Sequence, residues 1–245
     1  MFCGFIVTWM AYQTLGFAAL FLPLCFYAVN MGMKESKWWA FPLMSLAVWF
    51  SFISGHFQTS LYLLIGTIVY LLYMSLYTKK YRQAICLALF IVLGVLLASP
   101  QLFITYEAFK ETARSTSFIK GEIIPWSYLI TFFAPDFYGN PVTRNDWFGH
   151  YAEWAGFIGV IPLFLAFIAV TSKKIARWFF VILSVLSLLL ATPTLLTDLM
   201  YSARIPVLST SAASRIILLV SFSLSVLAAF GMDALSVLWI EKKKN

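Results

Sequence analysis

The chain has 245 residues, of which 62% are apolar and 11% charged, with a mean hydropathy of +0.87. That composition excludes an ordinary soluble core and predicts a bilayer protein, in which an apolar run of about 20 residues crosses as a helix with every backbone amide satisfied inside its own segment. The net charge of +7 does not point to nucleic acid, because eleven of the seventeen basic residues sit in four short clusters and read as signals that hold connections in the cytoplasm.

In chain order, an apolar lead over 2–14 is either a separate segment or the outer continuation of a first span, Leu15 to Met33, which Pro23 should kink. Lys34 and Lys37 form the first basic cluster. A second span from Trp38 to Ser54 and a third from Thr59 to Tyr77 flank the short turn Gly55-His56-Phe57-Gln58. Lys79, Lys80 and Arg82 precede a fourth span, Ala84 to Tyr106. After a long polar interval come a fifth span, Ala155 to Thr171, the cluster Lys173, Lys174 and Arg177, a sixth span, Trp178 to Thr192, and a seventh, Ile216 to Ile240, closed by Lys242, Lys243 and Lys244.

Each pair of successive clusters flanks an even number of crossings, so all four can face the cytoplasm at once, and Trp38, Trp39, Tyr77, Tyr81, Trp178 and Trp239 fall at headgroup level. The expected fold is all-α: a bundle of about seven transmembrane helices with a large, partly helical outer loop. Its parts are spans 1–4 over 1–106, an extracytoplasmic loop over 107–154 and spans 5–7 over 155–245. The amino terminus, the 107–154 loop and a second outer loop at about 193–214, which carries Pro193 and Pro206, then lie outside and the carboxyl terminus inside. No basic residue precedes Lys34, so no cleavable signal peptide is expected, and the uncharged outer start suggests that the natural polypeptide extends upstream.

The polar interval from Glu107 to Glu153 holds six of the ten acidic residues. Within it, Pro125 opens a short interfacial helix over 126–133, and 134–141 is turn chemistry, with two prolines, a glycine and an asparagine. Asp136 and Glu153 are the candidate catalytic acids, set among aromatic and turn residues at the membrane surface. The competing reading makes them solvated loop acids or partners of Arg114 and Arg144. Arg114, Arg144 and Arg215 lie on the outer side against the usual bias of basic residues, where a guanidinium fork suits a phosphate. Snorkelling of Arg215 to a headgroup is the simpler alternative. Trp126, Trp147, Tyr151 and Trp154 offer faces for sugar stacking or form an interface belt, and His56 and Gln58 either join that cavity or satisfy a tight helical hairpin. Asp233 lies inside the last span, either near its cytoplasmic end or paired within the bundle. Cys3, Cys25 and Cys86 are odd in number and widely spaced, so neither a zinc site nor a disulfide framework is expected. Walker, dinucleotide, zincin and hydrolase-elbow motifs are absent.

The segments Ser54-Gly55-His56-Phe57-Gln58, Ser99-Pro100-Gln101-Leu102, 135–141, Tyr151-Ala152-Glu153 with Phe157-Ile158-Gly159, and Ser214-Arg215 resemble, in order and spacing, the bacterial YfhO membrane protein family, of the polytopic GT-C glycosyltransferase type. The resemblance implies transfer of a sugar from a polyprenyl-phosphate carrier to an extracytoplasmic cell-envelope acceptor of the teichoic-acid type, in a bacterial cell membrane. Its partners are the carrier lipid and a glycopolymer, with no nucleic acid. Asp136 or Glu153 would serve the acceptor; His56, Gln58, Arg114, Tyr138, Asn140, Arg144, Tyr151 and Arg215 would bind substrate. No cofactor or protein-held metal is expected, and a need for a divalent cation is left open. Family members are longer and carry an essential acid in a first outer loop that has no counterpart here, which again suggests a fragment. A lipid-linked sugar flippase or transporter and a non-catalytic scaffold are the alternatives in other classes.

Overall fold

The computed structural model describes residues 3–12, 15–112, 122–143, 145–204, 207–209 and 211–244, with backbone only over 241–244. Among these, every regular element is helical: α1 Gly4–Met10, α2 Leu15–Leu20, α3 Leu22–Asn30, α4 Ala40–Ile53, α5 Phe57–Thr78, α6 Tyr81–Leu97, α7 Ser99–Lys110, α8 Tyr151–Trp154, α9 Val160–Ile168, α10 Ala176–Ala191, α11 Leu195–Ser202 and α12 Ile217–Lys244. A π turn, Met31–Glu35, prolongs α3, and 3-10 turns cover Trp126–Phe132, Ala169–Thr171 and Ala213–Ile216.

Among the described residues, three helices are long and apolar enough to cross a membrane: Leu15–Glu35, Phe57–Thr78 and Ala213–Ile240. The number rises to five if each of two bent pairs, Tyr81–Leu97 with Ser99–Lys110 and Ala176–Ala191 with Leu195–Ser202, is one span. The expected fourth span is therefore not straight. It bends by 60° where Ser99-Pro100 follows Ala98, because proline withholds the amide that would continue the ladder and is tolerated only at a helix start. The stretch expected as a loop after Thr192 likewise winds into α11, capped by the Thr194 hydroxyl, which accepts from Thr197 N–H, and bends 68° from α10. The expected fifth span begins later than Ala155, at Val160, because Gly159 has φ +101° and Pro162 suits the first turn that follows. The 3-10 turn Trp126–Phe132 falls where an interfacial helix is expected, with Pro125 as its cap.

The chain divides into two compact units. One comprises residues 9–119 and 204–211, the other 1–8, 120–203 and 212–245. In the first, α4 packs on α6 and α3, and α3 on α5. Gly94 lets α6 close on α4, since a Cβ there would meet Ser45 O at 2.7 Å and Val48 Cβ at 2.8 Å. A buried serine knot ties its helices: Ser51 Oγ donates to Ala18 O at 3.0 Å and Ser60 Oγ to Ser51 O at 2.8 Å. Small residues and interhelical hydroxyls of this kind hold helices together where hydrophobicity alone gives no preference. In the second unit α12 packs along α9 and α10, and Gly231 is the close approach, with no room for a Cβ against Leu165 O.

Candidate functional site

In the second unit the segment after Pro125 is folded around Tyr128, which is 2% exposed. Its amide donates to Pro125 O at 2.9 Å, which closes the 3-10 turn and faces the ring inward. Tyr138 stacks on Tyr128 at 5.5 Å between centroids, while Phe148 and Trp154 meet it edge-on at 5.5 and 5.0 Å. Both geometries suit aromatic quadrupoles and together fix the loop without regular secondary structure.

Local polar chemistry shapes the rest. Phe137 N–H donates to Ala134 O at 3.1 Å and Gly139 N–H to Asp136 O at 2.9 Å, so Asp136 sits on consecutive turns. Gly139 has φ +83° and lies so close to Asn145 that a Cβ would strike its carbonyl. Asn145 Oδ1 accepts from Asn140 N–H at 3.1 Å, and Asn140 Oδ1 from Thr143 N–H at 3.0 Å, side-chain amides standing in for backbone partners. The Asp146 carboxylate accepts the N–H groups of Phe148 and Tyr151, each at 3.3 Å, and thereby fixes the start of α8. Asp146 thus has a positioning part that its place in the sequence did not reveal.

Two acid pairings follow. The Tyr151 hydroxyl donates to Asp136 Oδ1 at 2.8 Å, and the Asp136 side chain is otherwise open to solvent. Burial pushes the Tyr151 phenol up to about 12, reinforced by its hydrogen bond to Asp136 and by the charges of Asp136 and Asp146. Burial raises Tyr128 further still, with Asp146, Tyr151 and Asp136 adding to the effect. Both phenols therefore stay protonated donors at neutral pH.

The second pairing joins α8 to the turn before α12. Arg215 Nε donates to Glu153 Oε2 at 2.8 Å and Nη2 to Oε1 at 2.6 Å, a bidentate fork between side chains only 16% and 14% exposed. Glu153 thus has Arg215 as a partner, and the Arg215 fork is engaged by a carboxylate. Beside the pair, Trp154 Nε1 and Ser214 Oγ are buried with no hydrogen-bond partner among the described residues. A small cleft lies in the same unit, lined by Tyr128, Thr131, Pro135, Tyr151, Gly156 and Phe157 among others. Trp147 is 73% exposed, with Phe137 and Trp126 also exposed.

The candidate residues therefore divide. Asp136, Tyr138, Asn140, Tyr151, Glu153 and Arg215 belong to one unit, with Tyr128 as the unforeseen hub; only its buried aromatic neighbours, not its sequence spacing, mark it. His56 and Gln58 belong to the other unit. The His56 Nδ1 accepts from Thr59 N–H at 3.2 Å as the cap of α5, and the buried Gln58 Nε2 donates to the Tyr62 hydroxyl at 3.0 Å. Those contacts satisfy the hairpin. Arg114 and Arg144 lie outside the described residues. Asp233 pairs with Lys174, whose ammonium also lies over the Phe230 ring, so the charge in the last span is partnered. Among the described residues no group of three or more His, Cys, Asp or Glu side chains is placed to hold a metal ion.

The class these features define is an all-helical protein, over the described residues, with three to five helices fit to cross a membrane and one polar, aromatic segment locked by an internal ion pair. No family model, no curated protein and no solved structure matches the chain.

Proposed function

We propose that this chain is an integral membrane glycosyltransferase-like protein of the YfhO type, which moves a sugar from a polyprenyl-phosphate carrier to an envelope acceptor outside the bacterial cell. In this reading the three long helices, two bent pairs and two shorter apolar helices supply seven apolar segments, with the 107–154 interval outside and the carboxyl terminus in the cytoplasm. The observation that carries the proposal is Asp136: an exposed carboxylate oriented by the Tyr151 hydroxyl, in a segment that also exposes Phe137 and Trp147.

Sugar transfer requires a base or polarising acid at the acceptor hydroxyl and flat apolar surface for the ring, and general-base assistance contributes about 10²–10⁴-fold. Asp136 takes the acceptor's hydroxyl hydrogen bond while Tyr151, protonated at neutral pH, holds the carboxylate in place. The Glu153–Arg215 pair sets α8, and hence Tyr151, in position; a carrier phosphate that exchanged with Glu153 would find the Arg215 fork already aimed. The test is sugar release from a polyprenyl-phosphate sugar by the polypeptide in vesicles, followed by mass spectrometry. Asp136→Asn should lower transfer by about 10²-fold or more with unchanged thermal unfolding. Transfer by Asp136→Asn at the unsubstituted rate would end the assignment, and carrier moved across the vesicle wall with its sugar intact would favour a flippase.

A further inference from the structure

The first unit gathers a second chemistry at one end of its helices. The run Leu15–Glu35 and helix α5 both finish there, and α4 and α6 both start there, so the connections at 31–39 and 78–81 come together. The Lys80 ammonium joins them: Nζ donates to Lys34 O at 2.9 Å and to Ser36 Oγ at 3.3 Å. A cation at the end carbonyls of a helix is favoured by the macrodipole, which accounts for Lys80 itself. It does not account for Lys34, Lys37, Lys79 and Arg82, whose side chains are exposed around it. The one acid in these connections, Glu35, stands 3.8 Å from Lys37. Ser36 and Lys79 both take left-handed backbone, φ 53° and 56°, so each turn is sharp and holds its cations at a fixed place.

We infer that this convergence is a docking surface for anionic phospholipid headgroups. Trp38 is 77% exposed, and Tyr77 and Tyr81 are exposed beside it, the amphipathic rings that settle at a lipid–water boundary. Leu72 and Leu76, one turn along α5, are also exposed and continue the surface toward acyl chains. Four exposed cations spread around two turns suit a fluid set of several phosphates better than one free phosphate, which needs a converging pocket. Clusters of four or more Lys and Arg beside a membrane helix attract anionic lipid at about fivefold in affinity per residue.

The experiment uses the full chain purified in detergent and titrated with phosphatidylglycerol or phosphatidylcholine, with retained lipid counted by native mass spectrometry. The unsubstituted chain should keep phosphatidylglycerol preferentially. The triple variant Lys34→Gln, Lys37→Gln, Arg82→Gln should lose roughly a hundredfold of that preference, whereas Lys34→Arg with Lys37→Arg should retain it and show that the turns still fold. A control removes the same charge elsewhere, Lys242→Gln, Lys243→Gln, Lys244→Gln, and should bind as the unsubstituted chain does. Equal retention of both lipids, equal loss in the control, or stronger retention of a single-stranded RNA oligomer than of phosphatidylglycerol would overturn the inference.

Discussion

Removing Arg215 should cost far more stability than removing a charge from either of the exposed ion pairs, Lys37–Glu35 or Lys174–Asp233. The Glu153 carboxylate is 14% exposed, and two hydrogen bonds of 2.8 and 2.6 Å from one guanidinium compensate its desolvation. Arg215→Met fills similar space and leaves the carboxylate buried without its counter-ion. Loss of one member of a buried pair costs about 3–5 kcal/mol, and the residual exposure places this case near the lower figure, about 3 kcal/mol, or more than a hundredfold in the folding equilibrium. Glu153→Gln should also cost stability, because it takes the carboxylate away from the two guanidinium donors. The double variant should be far closer to the unsubstituted chain than either single, because no uncompensated charge remains. The assay is unfolding in mixed micelles across the four members of this cycle, with the coupling energy as the readout. Additive single effects, or a loss below about 1 kcal/mol for Arg215→Met, would show that the pair is solvated in the membrane protein and that α8 is held by its aromatic contacts alone.

The Lys174–Asp233 pair supplies the contrast: its side chains are 54% and 56% exposed, so Asp233→Asn should cost under about 1 kcal/mol in the same unfolding assay. Tyr151 has a phenol raised from 10 to about 12 on folding, so protonation favours the folded state. Its stabilisation is complete below pH 10 and fades as pH rises toward 12, and Tyr151→Phe should remove this part of the alkaline loss, measured as the difference between the two pH–stability curves. Gly231→Ala should force α12 away from Leu165 O and cost about 1–3 kcal/mol by overpacking, while Gly149→Ala, with open space but φ +70°, should cost about 1–2 kcal/mol from backbone strain alone; melting curves of the two distinguish contact from conformation. His56→Ala should lower helix stability by about 0.5–2 kcal/mol through loss of the α5 cap, and His56→Asn should restore most of it, as read by thermal unfolding.

What was legible in the sequence follows from where the physics is local. Apolar runs and flanking charge depend on neighbouring residues, so the helical class, the third span and the last span stand close to their expected limits, and Pro125 marks a helical turn that is there. Bends depend on one residue against the surrounding run: Pro100 carries the signal for a 60° break, but the apolar residues on both sides outweigh it in any windowed average. The loop after Thr192 misled for the opposite reason, since Pro193 reads as a turn while Thr194 and Thr197 supply a cap for a helix just beyond it. The candidate site was half visible. Asp136, Tyr138, Asn140 and Tyr151 lie within sixteen residues and their residue types announce a turn-rich polar surface. Glu153 and Arg215 are 62 positions apart, and no periodicity connects them; each is conspicuous only as a charge just before an apolar run. That shared position is the physical link, because charges at adjacent span ends are brought to one depth by the helices that follow them, and in a medium that penalises a lone charge the nearest opposite one becomes its partner. Asp233 and Lys174 also meet across 59 positions, a carboxylate inside α12 reached by the cation just before α10. In a chain this apolar, the acids and bases flanking hydrophobic segments should therefore be matched by span depth before they are matched by sequence distance.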